Sequence, residues 1–267
     1  MEVGILTVGE EVLAGDIANT NAAWLASRLT DRGATVVRIL TIPDDRDLVA
    51  GTVREWSEAF DAVVVTGGLG GTHDDVTADA LADAFERELV VADEVRTDVL
   101  ETVASYRERN PETVEEHELD LDVDAWAALP EDSRALLNPE GLCPGCVIEN
   151  VYAFPGVPAE MKAMFDLVAH EFDGGSVSWT LYTPQPEASM VEFLNDVGEL
   201  FDVTVGSYPA VDDRNRLKVV GSDADAVTDA VAWLCERIEI VDEERRTANN
   251  ANDGSTAGAG DGSSTTK

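Results

Sequence analysis

From residue 3 to residue 85 the apolar positions switch repeatedly between a strand pattern and a helix pattern. Val3-Gly-Ile-Leu-Thr-Val8 is a short, nearly unbroken apolar run of the kind that is buried on both faces. A Gly9-Glu-Glu-Val-Leu-Ala-Gly15 connection follows, then Ile17, Trp24, Leu25 and Leu29 at helical spacing, with Gly33 as the stop. Thr35-Val-Val-Arg-Ile-Leu-Thr-Ile42 reads as the second strand, and Asp44 and Asp45 open a helix running to about Trp56 and Ala59. Ala62-Val-Val-Val-Thr66 is continuously apolar, as a central parallel strand should be, and it runs straight into Gly67-Gly-Leu-Gly-Gly71. Val76, Ala80, Leu81, Ala84 and Phe85 then mark one helical face. Such alternation predicts an α/β fold, a mostly parallel sheet with helices on both faces.

The next stretch, Asp98 to Asp132, is rich in acids and reads as helical, solvated and protruding. Arg134 to Asn138 and Val147 to Phe154 read as a pair of strands. Pro155-Gly-Val-Pro158 launches a helix through Met161, Met164, Phe165 and Val168. A first domain over 1–172 ends near Asp173-Gly-Gly175, the best linker candidate. Beyond it Val177 to Thr183 is a strand, and Glu187 to Phe201 a helix with Met190, Phe193, Leu194, Val197 and Leu200 inward. Val203-Thr-Val205, Leu217-Lys-Val-Val220 and a helix from Asp223 to Ile238 complete a small α/β second domain, β-α-β-β-α, over 176–241. Residues 247–267 contain no apolar side chain larger than Ala and are expected to form a disordered tail.

Composition sharpens this picture in one respect. Hydrophobic residues make up 44%, enough for a packed core, but 54 Asp plus Glu face only 18 Lys plus Arg, for a net charge of −36. The only lysines are Lys162, Lys218 and Lys267. A surface this acidic repels phosphate backbones and anionic lipids, so nucleic acid and membrane surfaces are excluded as expected partners. A lysine-poor, carboxylate-rich surface suits a folded protein of a halophile, where high salt screens the self-repulsion. Three cysteines, Cys143, Cys146 and Cys235, build no disulfide framework. The start of the chain has no basic leader, and no apolar run approaches a membrane span, so a cytoplasmic location is expected.

The strongest chemical signal is Thr66-Gly-Gly-Leu-Gly-Gly-Thr72-His-Asp-Asp-Val-Thr77. Glycines at the carboxyl end of a strand let the N–H groups of Gly67, Gly68, Leu69, Gly70, Gly71 and Thr72 approach a phosphate. Asp74 and Asp75 would repel a bare phosphate and make sense if a divalent cation bridges them to it. The alternative is that Thr72 and Asp75 form a capping box for the next helix. His73 reads as a loop or phosphate-facing donor, and Thr77 closes the element. Gly9-Glu10-Glu11, with Asn19 and Asn21 after it, occupies the carboxyl end of the first strand, the edge where open α/β sheets bind ligands. Its alternative is a solvated turn with Asn caps. Asp44 and Asp45 share that edge and read foremost as a helix N-cap. Cys143-Pro-Gly-Cys146 has zinc half-site spacing but lacks a second pair, so a hairpin turn is the expectation there.

These motifs together resemble the molybdopterin-binding domain of molybdenum cofactor biosynthesis (MoaB/MogA-like). More narrowly they resemble the N-terminal region of the CinA, or competence/damage-inducible protein A, family. The narrower resemblance is carried by Leu137-Asn138, Cys143-Pro-Gly145, Phe154-Pro-Gly-Val-Pro-Ala-Glu-Met161 and Gly206-Ser-Tyr-Pro209. It implies a three-layer α/β/α domain, a homo-oligomer (dimer or trimer), and a phosphate-bearing ligand, either molybdopterin or a nucleotide, on the glycine loop. It also implies a divalent-metal-dependent ADP-ribose pyrophosphatase, with Asp74, Asp75 and Glu11 holding Mg²⁺ or a similar ion. Glu10, Asn21, Asp45, His73 and Thr77 would support the ligand. The nicotinamide-nucleotide amidase domain carried by many relatives is not expected. Where the family usually has Gly-Pro-Thr, this chain has Gly70-Gly71-Thr72. Two functions stay open at this point: a metal-dependent hydrolase of dinucleotide pyrophosphates, and a non-catalytic module that captures a pterin or nucleotide.

Overall fold

A computed structural model describes residues 1–72, 74–109, 121–209 and 214–246, so His73 and the expected tail 247–267 lie outside the described residues. They form two compact units that divide between Gly174 and Gly175.

In the first unit a six-stranded sheet has the order β2-β1-β3-β8-β7-β6. The strands are β1 (Glu2–Val8), β2 (Thr35–Ile42), β3 (Ala62–Thr66), β6 (Arg134–Leu136), β7 (Gly145–Ile148) and β8 (Val151–Phe154). Strands β2, β1, β3 and β8 are parallel, and β7 pairs antiparallel with both β8 and β6. Every residue of β3 is buried, because helices cover both faces of the central strand.

The pleat sorts the core into two layers. Leu6, Val8, Val63 and Val65 pack against α3 (Arg46–Ala59), α4 (Thr77–Ala84) and α5 (Asp93–Arg109) through Val49, Trp56, Leu81, Val95 and Val99. Their alternates Val3, Ile5, Ala62 and Val64 face α2 (Thr20–Asp31) and α7 (Pro158–Val168), where Leu25, Leu29, Met161 and Phe165 wait. The result is a three-layer α/β/α domain with a mostly parallel sheet. Among the described residues no helix is long and apolar enough to cross a membrane.

Several local expectations are corrected. Gly9 to Gly15 is not a plain connection, since α1 (Glu10–Leu13) makes one helical turn there. The long helix starts only at Thr20, where Asn19 Oδ1 accepts the Ala22 N–H at 3.0 Å, so Ile17 lies outside it and is exposed. Residues 147–154 are a hairpin rather than one strand, because Glu149 adopts φ 51° and turns the chain. The acidic insertion is framed by a small ribbon, β4 (Leu89–Val91) with β5 (Ala128–Pro130), and carries α6 (Val123–Trp126) at its end. Residues 110–120 of that insertion lie outside the described ones.

The second unit is an antiparallel sheet, β10-β11-β9-β12, formed by β9 (Val177–Thr183), β10 (Thr204–Tyr208), β11 (Asn215–Gly221) and β12 (Asp242–Arg246). Helices α8 (Val191–Phe201) and α9 (Ala224–Cys235) bury Val197, Val227 and Leu234 against Leu181, Leu217 and Val219. Met190, Phe193, Leu194 and Val197 face inward as expected, but Leu200 is 61% exposed, because the stripe of α8 continues through Phe201. The added strand β12 extends this unit past 241.

Candidate functional site

A cavity of about 660 Å³ opens at the carboxyl ends of β1, β3 and β8 in the first unit. Four segments meet there: 9–11 after β1, 67–70 with 74–75 after β3, 140–143 before β7 and 155–157 after β8.

The glycine loop is shaped by two left-handed residues, Gly67 at φ 102° and Gly68 at φ 63°. A side chain on Gly67 would collide with the Val8 carbonyl, and one on Gly68 with Thr77 Oγ1. Thr77, fully buried, donates its hydroxyl to the Gly67 carbonyl at 2.8 Å and its N–H to the Gly68 carbonyl at 2.8 Å. The Gly67 N–H is used by the Phe154 carbonyl at 3.1 Å. By contrast, the N–H groups of Gly68, Leu69 and Gly70, on the cavity lining, have no partner among the described residues. The Leu69 carbonyl accepts from Cys143 Sγ at 2.9 Å, which ties this loop to the one before β7. Burial pushes the Cys143 thiol well above its ordinary range, with Glu160 and Asp75 adding to the shift, so it stays a protonated donor.

Thr72 and Asp75 do pair, but not as a helix cap. The Thr72 N–H donates to Asp75 Oδ2 at 2.9 Å, yet α4 starts later, at Thr77, and its N-cap Val76 offers no side-chain bond. The pair closes the loop instead. Thr72 Oγ1 also lies 2.6 Å from Asp74 Oδ1, so one hydroxyl sits between the two acids.

The cavity lining contains Glu11, Asp44, Asp74, Asp75, Glu140 and Glu160, and no lysine, arginine or histidine among the described residues. Asp44 accepts the Glu10 N–H at 3.1 Å and its acidity is weakened, first by burial and then by Glu11, Asp74 and Glu10. Glu140 and Glu160 are set by the buried Asn138. Its Nδ2 donates to Glu160 Oε2 at 2.9 Å and to the Cys143 carbonyl at 2.8 Å, and its Oδ1 takes the Glu140 and Gly141 N–H groups.

Of the residues singled out in the sequence, Glu11, Gly67, Gly68, Leu69, Gly70, Asp74 and Asp75 line the cavity together. Glu10, Gly71, Thr72 and Thr77 stand beside it as framework. Asn21 holds the rim by donating to the Gly156 carbonyl at 2.7 Å, and Asp45 is the N-cap of α3, accepting from Leu48 N at 3.0 Å. Sequence reasoning missed Asp44 as the member of its pair that faces the cavity, and with it Trp126, Glu140, Cys143 and Glu160. Cys143-Pro-Gly-Cys146 is no isolated turn: Gly145 already begins β7, and Cys146 is buried, its thiol pushed up to about 12.

Residues 4–173 match the family described as the probable molybdopterin binding domain. The chain belongs to that family. Within this molybdopterin-binding family the likeness is to CinA proteins. The crystal structure of CinA from Thermoplasma acidophilum is 30% identical, with a TM-score of 0.55 over 64% of this chain and 99% of that one. A protein of Archaeoglobus fulgidus is 40% identical over 86% of this chain and 95% of its own length. A CinA-like protein of Parasynechococcus marenigrum is 34% identical over 92% of this chain, which spans only 59% of that relative's length. Residues 176–244 match the family described as the FAD synthase middle domain.

Proposed function

We propose that this CinA-like molybdopterin-binding-domain protein binds a phosphate-bearing nucleotide or pterin together with a divalent cation, and hydrolyses ADP-ribose-type pyrophosphates. One observation supports this reading above the others. Gly68, Leu69 and Gly70, whose N–H groups have no partner among the described residues, line a cavity whose charged side chains there are six carboxylates. Backbone donors at that position suit a phosphate, but the carboxylates oppose its entry unless a cation comes with it.

The donors present fit such an ion. Oxygen ligands suit a hard cation such as Mg²⁺, which characteristically takes one or two protein carboxylates and completes its shell with water and substrate phosphate. Among the described residues no three acidic, histidine or cysteine side chains are grouped to hold an ion by themselves, so water and phosphate oxygens would have to complete its shell. Asp74 and Asp75 would hold it, with Glu11 on the same lining adding negative charge; when bound, it would neutralise phosphate charge and acidify water. The protein's own part is to fix the phosphates on the glycine loop and to keep Asp74 and Asp75 oriented through Thr72.

The test is ADP-ribose turnover in molar KCl with Mg²⁺. We expect Asp74→Asn to melt no lower than the parent, since one repelling charge is gone, while turnover falls by roughly 100-fold or more, as losing a metal-held charge in a transition state does. A parent that binds ADP-ribose with Mg²⁺ and never cleaves it leaves a capture module and removes the hydrolase.

A further inference from the structure

The cavity lining mixes two kinds of surface. Besides the glycine loop and the acids, its lining includes Leu142, Val157 and Trp126, which are apolar. Trp126 ends α6, at the close of the acidic insertion, and joins Thr102 of α5 on the cavity lining. Its indole lies against the glycine loop itself: a side chain at Gly71 would collide with Nε1 and the neighbouring ring carbons. Trp126 packs part of its surface on the core cluster beneath, yet remains only half-buried, so the residue serves the cavity as well as the core.

We infer that Trp126 is the ring-binding residue of this site: its indole takes the planar heterocycle of a ligand whose phosphates rest on the glycine loop. The inference rests on the phosphate-binding reading above and adds what holds the rest of the ligand. At about 660 Å³ the cavity is sized for a nucleotide or pterin rather than for a phosphate chain alone. Six carboxylates and, among the described residues, no basic side chain give an anionic ligand no net electrostatic attraction before a cation arrives, so apolar and stacking surface has affinity to add. An indole provides both, because every heterocyclic base has a face to stack. Gly71 fits the same account: its lack of a side chain lets the indole reach the loop, so ring and phosphate sites adjoin.

The experiment is calorimetric titration of the parent, Trp126→Leu and Trp126→Phe with two probes, ADP-ribose (used as its α,β-methylene form, whose P–C–P bridge is not hydrolysed) and inorganic pyrophosphate, in molar KCl with Mg²⁺. Melting curves establish that each variant folds. In Trp126→Leu the ADP-ribose Kd should rise roughly tenfold while that of pyrophosphate stays within about twofold, and Trp126→Phe should recover most of the loss. ADP-ribose, but not pyrophosphate, should quench the parent's tryptophan emission, and Trp126→Phe should abolish that quench; this readout stands even where the leucine variant does not fold. Unchanged ADP-ribose affinity in Trp126→Leu overturns the inference. Equal loss of both probes also overturns it, by making the indole a support for the loop. A parent that binds pyrophosphate as tightly as ADP-ribose removes the ring site and leaves the phosphate site standing; a parent that binds neither removes both.

Discussion

Tyr152 shows how one side chain registers its surroundings. On β8, its hydroxyl donates to Glu171 Oε2 at 3.0 Å, and Arg134 meets the same carboxylate at 2.8 Å. Burial, and then Glu171, push the phenol from its ordinary 10 up to about 12. The folded state therefore holds this proton more tightly than the unfolded chain does. The bond's contribution is present in full below pH 10 and is lost as pH rises from about 10 to about 12. Melting curves across that window should show the parent losing stability more steeply than Tyr152→Phe, which has no phenol to titrate. Parallel curves would mean that the hydroxyl is not held as described. At the same scale, Asp44 and Asp45 divide two jobs between adjacent carboxylates. One caps a helix and the other faces the cavity, a division that no pattern of residue types reveals.

At the scale of elements, the loop before β7 depends on Asn138, which is 5% exposed and satisfies four partners at once. Asn138→Ala strands Glu160, the Cys143 carbonyl and two N–H groups, and should cost about 2–3 kcal/mol in denaturant titration. Cation-dependent ligand binding should weaken with it, since Glu140 and Glu160 lose their anchor. The elements most legible in the sequence are those buried on two sides. Ala62-Val-Val-Val-Thr66 and Val3 to Val8 stand out because both faces meet helices. The hairpin at Glu149 was hidden because apolar residues flank it on both sides, and β12, Asp-Glu-Glu-Arg-Arg, because its side chains give no period-two signal. The glycine loop and the first acidic loop were legible as local strings. Trp126, Glu140 and Glu160 were not, because only the packing of the insertion, the loop before β7 and the first turn of α7 brings them to the same cavity.

At the scale of the molecule, charge governs both stability and binding. With −36 on the chain, lowering salt from 1 M to 0.1 M lengthens the screening distance from about 3 Å to about 10 Å. Melting in a KCl series should show the transition falling and broadening toward low salt; a salt-independent transition would contradict a surface adapted to high salt. The same excess of carboxylates converges on the cavity, where Glu11, Asp44, Asp74, Asp75, Glu140 and Glu160 meet backbone donors and, among the described residues, no basic side chain. A phosphate is expected to enter this cavity only with a cation. Isothermal titration of the full chain with inorganic pyrophosphate in molar KCl, once with Mg²⁺ and once with EDTA, tests it most directly. Saturable binding with Mg²⁺ and at least roughly 100-fold weaker binding in EDTA is the predicted result, the loss expected when carboxylates face a phosphate with nothing between them. Equal affinity in the two buffers would contradict it.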